Sequence, residues 1–299
     1  MNRNKKSFSI RDLENLSGIK AHTIRIWEKR YSLLSPERTR TNIRTYSLES
    51  LQKLLNVTLL YNAGHKISKI AKIPEQNIPL MVREIISKNS VKDHSINAFK
   101  LAMINFDQSL FMGTYNSLLT DRSFREIFKE IFVPLLKELG MLWQTGTISA
   151  AHEHFVSCLI KQKILTNTEK IQHIEPTHSD RIFVPFLPEN EIHDIGLLYL
   201  NYEIVLRGYK SIYLGQTVPL ENLSEIMKYF DNLHFISYLT VVPEKEKIDA
   251  YIADFTSMTN GYRNPQLWLL GRQTQFIDKN KLPDYVATFS SMEQVIESL

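Results

Sequence analysis

The sequence predicts a multidomain α and α/β chain: an N-terminal winged helix-turn-helix module, a central four-helix bundle and a C-terminal doubly wound parallel sheet. Three observations point there. Capped short helices and an Arg-rich alternating segment stand at the N-terminus, helical periodicity runs from Asp93 to about Ile171, and strand and helix patterns alternate from about residue 180 onward. At 299 residues and 43% hydrophobic, the chain exceeds the usual size of one domain and can bury several cores. The expected divisions are 1–75, a linker over 76–92, a bundle over 93–172 and the sheet over 178–299.

Taking the elements in order, Ser9 precedes a helix with Asp12 placed to complete a capping box, and Ser17-Gly18 ends it. A second helix follows over Ala21–Arg30, with Ile24 and Trp27 or Glu28 read on different faces and His22, Thr23, Arg25 and Lys29 toward solvent. Two short helices joined by a Gly-containing turn, the second polar and basic, describe a helix-turn-helix. From Glu37 to Tyr46, Arg alternates with β-branched residues as in a short hairpin wing, and Arg forks suit phosphate oxygens. Ser47 caps a third helix and Gly64 opens the entry to a fourth. Charge supports the same reading: residues 1–75 hold fifteen Lys or Arg against six Asp or Glu, and the remainder twenty-one against twenty-six. Such asymmetry is the footprint of a nucleic-acid-binding module joined to a mildly acidic partner.

The middle segment reads as four helices with short connections, and Pro134 is expected to kink the third. Cys158, the single cysteine, stands among Phe155, Val156, Leu159 and Ile160 and reads as a buried thiol. In the last segment, strands are expected at 181–186, 210–214, 233–238, 266–270 and 285–289, with helices at 192–207, 220–230 and 244–258 and one more at the end. His193 follows the first strand, where open α/β sheets bind ligands, with Glu191 close enough to orient its ring. Gly215, Ser237, Leu239 and Gly271 follow or end later strands and converge on the same edge. No run approaches the ~20 apolar residues of a membrane span and no apolar signal core follows Met1, so the expectation is a cytoplasmic, non-membrane protein.

The stretch from Phe8 to about Ile73 resembles the DNA-binding domain of the MerR family of transcription regulators, through Thr23-Ile24-Arg25-x-Trp27-Glu28, Leu34-x-Pro36-x-Arg38, Arg44-x-Tyr46 and the Gly64 segment. By that resemblance His22, Thr23, Arg25 and Lys29 belong to the helix that enters the major groove of double-stranded operator DNA, while Arg38, Arg40, Arg44 and Tyr46 clamp the backbone. The protein then acts as a homo-oligomer, dimer or tetramer. Trp143 followed by Glu153-His154 resembles the helical cap of MerR-type regulators that carry a cobalamin-binding domain, in which the Trp shields the corrin and the Glu contacts the adenosyl group. Glu191-x-His193-x-x-Gly196, then Ser237-x-Leu239 and Gly271, resemble the Rossmann-like cobalamin-binding fold, where the His ligates cobalt and the Ser and Gly line the channel of the nucleotide tail.

Together these resemblances imply a non-enzymatic, photoreceptor-like repressor of the kind that controls carotenoid genes, responding to adenosylcobalamin and light, with His193 as cobalt ligand. Two positions depart from the pattern: Arg272 stands where a second Gly is usual, and Gln144, an amide and a poor cobalt ligand, follows Trp143. The alternatives are a regulator with a vestigial pocket, acting without cobalamin or through a protein antirepressor, and a corrinoid carrier protein.

Overall fold

A computed structural model describes residues 7–78, 80–82, 92–263 and 265–299, apart from the side chains of residues 92–94 and 144. Most of the expected 76–92 linker lies outside the described residues. The chain divides into two compact units, Met1–Leu159 and Ile160–Leu299.

In the first unit, β1 (Phe8–Ser9) leads into α1 (Ile10–Ser17), whose capping box is formed by Ser9 and Asp12 and whose end is set by Gly18 at φ 74°. The second helix, α2 (Ala21–Tyr31), buries Ile24 and Trp27. Three residues apart, they share one face, which corrects the expectation of different faces. The wing is an antiparallel pair, β2 (Glu37–Arg38) with β3 (Arg44–Tyr46), and β1 joins its other edge through Phe8 opposite Tyr46, a pairing not legible from local pattern. Ser47 caps α3 (Leu48–Asn62), and α4 (Ile67–Ile70) follows the turn at Gly64, which is at φ 90°.

The helical segment comprises α5 (Lys92–Asn105), α6 (Gln108–Leu118), α7 (Phe124–Ile127), α8 (Val133–Gln144) and α9 (Ala150–Glu169). One wide π turn, Phe128–Phe132, joins α7 to α8, so the third expected helix is one continuous rod with its irregularity displaced to just before Pro134. That turn accommodates the missing proline N–H and ring clash. Phe99, Phe111, Phe128 and Phe132 are fully enclosed and form the aromatic core of this segment. Phe106 takes φ 51° past the end of α5 and stacks on His152 at 4.7 Å. Cys158 is exposed, so the expected buried thiol is corrected: it occupies the outward side of α9 between buried Val156, Leu159 and Ile160.

The second unit holds a six-stranded parallel sheet. β4 (His178–Pro188) is central, with β5 (Tyr209–Ser211) and β6 (Gly215–Val218) on one side and β7 (Leu233–Tyr238), β8 (Gln266–Leu270) and β9 (Val286–Thr288) in succession on the other. In β4 the consecutive Phe183, Val184, Phe186 and Leu187 are all fully buried, as a parallel strand covered on both faces requires. α11 (Leu223–Met227) and α12 (Ile248–Thr259) close one core with Val184, Phe186, Phe235 and Leu269. α10 (Ile195–Leu206) packs against β4 and β5 and meets α13 (Met292–Ser298). The order β5-β4-β7-β8-β9 reverses direction between β4 and β7, which places the switch point of the sheet beside the end of β4. β6 was not anticipated: Gly215, read as a residue following a strand, opens a short strand of its own at φ 82°. Among the described residues, no helix is long and apolar enough to cross a membrane.

Candidate functional site

The basic module carries its exposed polar side chains on α2 and the wing. His22, Arg25 and Lys29 are exposed and Thr23 is half-buried, while Ile24 and Trp27 anchor the opposite side of the helix. Arg38 and Arg40 are exposed, and Arg38 donates to Asn42 Oδ1 at 2.6 Å across the wing tip. Tyr46 lies elsewhere: it is buried, and its hydroxyl donates to Glu28 Oε1 at 2.5 Å. Burial, reinforced by the Glu28 carboxylate, pushes this phenol up. The expected backbone clamp is therefore corrected for Tyr46, whose ring is spent inside the fold tying β3 to α2. Arg44, half-buried, shares that carboxylate at 3.3 Å from Oε2. Glu28 thus fixes the wing against the helix that carries Arg25, a link between distant residues that sequence spacing did not show.

Trp143 ends α8 exposed, at 55%, with Met141 beside it at 59%. A large aromatic left in solvent at a helix end is not filling a core. On α9, Glu153 accepts from Ser157 Oγ at 2.5 Å and lies 3.0 Å from Nδ1 of His154, whose ring is largely exposed. Trp143 and the Glu153-His154 pair flank the turn that joins α8 to α9.

At the switch point of the sheet, Glu191 is buried and acts as a clasp. Its Oε1 accepts from the backbone N–H of Ile192 at 2.9 Å, the N–H of His193 at 3.0 Å and the ring Nδ1 of His193 at 2.5 Å. Its Oε2 accepts from the N–H groups of Val241 at 2.7 Å and Val242 at 3.0 Å, in the loop that follows β7. Burial pushes the Glu191 carboxyl up, but the donors of Val242, Val241 and His193 outweigh it and hold the pKa at about 2. An ionised carboxylate only accepts, so Nδ1 of His193 carries a proton and donates, and Nε2 is the ring nitrogen outside this contact. The imidazole is 54% exposed, flanked by exposed Ile192 and Val241.

The same loop is pinned from its other side by residues that the motif did not predict. Gln216 Nε2, on β6, donates to Ile192 O at 2.9 Å and to Asp194 Oδ2 at 2.6 Å, and Lys161 Nζ lies 2.6 Å from Asp194 Oδ1. Lys161, which no motif singles out, holds the start of α10 through Asp194. The remaining expected positions divide. Ser237 is fully buried, and its hydroxyl adjoins that of Tyr251. Leu239 is buried, and Gly271, at φ 107°, presses its backbone against it: a Cβ there would stand 2.5 Å from Leu239 O. Arg272 is exposed at the start of the turn that follows. Gly196 faces Tyr238, since a Cβ on it would stand 2.6 Å from Cε2 of that ring.

Residues 8–76 match the MerR HTH family regulatory protein family, and residues 95–165 match the B12 binding domain family. The chain is 28% identical over 226 residues to the HTH-type transcriptional repressor CarH of Myxococcus xanthus, an alignment covering 73% of this chain and 74% of that protein. It is 23% identical over 212 residues to the HTH-type transcriptional repressor CarA of the same organism, covering 70% and 68%. Among solved structures it is similar to a monomethylamine corrinoid protein of Methanosarcina barkeri, at 12% identity and a TM-score of 0.48, covering 73% of this chain and 94% of that one. The chain therefore carries a MerR-type helix-turn-helix segment and a B12-binding-domain segment, the make-up of a DNA-binding regulator with a B12-binding domain.

Proposed function

We propose that the protein is a transcriptional repressor whose oligomeric state and operator affinity respond to adenosylcobalamin and light, with His193 as the protein ligand to cobalt. The observation that carries the reading is the exposed imidazole at the sheet's switch point, held through Nδ1 by Glu191 with Nε2 outside that contact. The residues present fit such a group: the imidazole is exposed, with the apolar Ile192 and Val241 also exposed in the two loops that Glu191 ties together. When bound, the cofactor would supply a light-sensitive cobalt–carbon bond, and His193 would hold its metal.

Glu191 stays ionised and orients the ring through Nδ1, which leaves Nε2 as the ring atom outside that contact. Gln216 and Lys161 fix the loop from behind, so little ordering is left to occur on binding. Trp143, Glu153 and His154 keep the cap role that the resemblance assigns, and Gly215, Ser237, Leu239 and Gly271 the tail-binding role. On DNA, His22, Thr23, Arg25 and Lys29 read the major groove, and Arg38, Arg40 and Arg44 meet phosphates, in an arrangement needing at least two copies of the chain. The similarity to the two Myxococcus xanthus repressors supports repression over activation and an operator-binding role over an enzymatic one.

The test is uptake of adenosylcobalamin in darkness, read by co-elution of its absorption with the protein, followed by illumination and operator binding. The wild-type chain takes up the cofactor and its oligomer size and operator affinity change on illumination, whereas His193→Ala does not retain it. Operator binding that is indifferent to cobalamin and light, with no cofactor retained, overturns the sensing role and leaves a DNA-binding protein.

A further inference from the structure

Away from the sheet, a cavity of about 630 Å³ opens in the first unit. Its size falls among small-molecule sites, which run from roughly 300 to 1,000 Å³. One wall is Gly18 and Ile19, in the turn between α1 and α2, and α5 and α8 supply most of the rest. Asn97 and Lys100 stand three residues apart on α5 and share the face that lines it, as do Glu138 and Met141 on α8.

Two of these side chains hold hydrogen-bonding capacity that the fold leaves unused. Asn97 is 8% exposed and Lys100 5%, so both are withdrawn from bulk water. Among the described residues, the Asn97 amide, with two donors and an acceptor, meets no partner. Lys100 Nζ carries three protons and meets one acceptor among them, Glu138 Oε2 at 3.0 Å, while Oε1 of Glu138 meets no donor. Buried polar groups are as a rule hydrogen-bonded, so an unused amide and ammonium that line one cavity point to a molecule held within it.

Charge narrows the class of that molecule. Lys100 and Glu138 neutralise one another, and among the described residues no other charged side chain lines the cavity. A simple anion at Lys100 meets the Glu138 carboxylate, and a simple cation at Glu138 meets the ammonium, each at a like-charge cost. A molecule with an ammonium and a carboxylate on one carbon avoids both. Its carboxylate accepts from Lys100 and Asn97, and its ammonium donates to Glu138 Oε1. Ile19, Ile96 and Met141, the last 59% exposed, offer apolar surface to a side chain on the same carbon. We propose that the cavity binds a free α-amino acid with a large apolar side chain. The bound molecule braces the turn that precedes α2, the helix that carries Arg25, and so alters operator affinity. This input is separate from His193 and from cobalt.

The test is calorimetric titration of the full chain, without cobalamin, with L-tryptophan, L-phenylalanine and L-leucine. At least one binds with one site per chain, and its N-acetyl and methyl ester derivatives, which each lack one charge, bind at least about tenfold more weakly. Lys100→Met and Asn97→Ala weaken the same amino acid by a similar factor, and operator affinity differs about fivefold or more between the free and the loaded protein. The comparison of derivatives uses the wild-type chain alone, so it stands even where a variant folds poorly. Absence of binding by all three amino acids overturns the proposal, as do derivatives that bind as tightly as the parent or a folded Lys100→Met that binds like wild type. Operator affinity indifferent to the bound amino acid overturns the bracing of α2. None of these outcomes bears on His193.

Discussion

Replacing Glu191 by Gln tests the clasp that organises the sheet's switch point. The carboxylate accepts from five donors, three on Oε1 and two on Oε2. A glutamine retains one oxygen and turns its amide protons toward donors wherever the other oxygen stood, so at least two bonds to a charged acceptor are lost. At about 1.5 to 3 kcal/mol each, less some relaxation of the exposed Val241 loop, the cost is about 3 to 4 kcal/mol. Proton linkage gives a second figure. A carboxyl at about 2 in the folded protein against the ordinary value of 4.5 contributes about 3 kcal/mol at neutral pH. The sign follows from the depression: the contribution is whole above the unfolded value and is lost as pH falls toward 2.

The assay is thermal unfolding of wild type and Glu191→Gln at pH 7 and at lower pH. The variant unfolds about 10 °C lower at pH 7, given about 3 °C per kcal/mol for a domain of this size. The gap narrows to under half by about pH 3, since only the wild type has the proton to take up. A shift under about 3 °C at pH 7, or a gap that stays constant down to pH 3, refutes the account of Glu191 as a fully engaged anionic acceptor.

Three other measurements probe the rest of the chain. Arg40→Ala at the exposed wing tip weakens operator binding and lowers the salt slope by about one unit, as removal of one phosphate contact requires; an unchanged slope places the wing off the DNA. Glu28→Gln cuts the tie from α2 to Tyr46 and Arg44, so operator affinity falls although Glu28 itself touches no DNA; normal affinity in a folded variant shows that the wing holds its position without it. Ser9→Ala removes the cap of α1 and lowers stability by about 1 kcal/mol, read by urea unfolding; no change in midpoint denies the capping box.

The amino-acid sequence by itself determined what depends on neighbours along the chain. Ser9 with Asp12, the stop at Gly18, the cap at Ser47 and the strands 233–238 and 266–270 all follow from capping chemistry and periodicity, which act within a few residues. The Glu191-His193 contact belongs here too, because two residues of spacing bring the carboxylate to Nδ1. Only the tertiary structure decided the contacts made across long separations. Tyr46 was drawn inward by Glu28, eighteen positions away, and Glu191 found its other donors fifty positions on, at Val241 and Val242. Strand β6 was too short and too polar to show a period of two, and exists because Gly215 and Val218 pair with the end of β4. Cys158 was misplaced because an apolar neighbourhood in sequence sets hydrophobicity, while helix phase sets which side chains face the core. The packing of the Tyr238 ring against Gly196 belongs with these, since the fold alone determines which side chain meets a glycine.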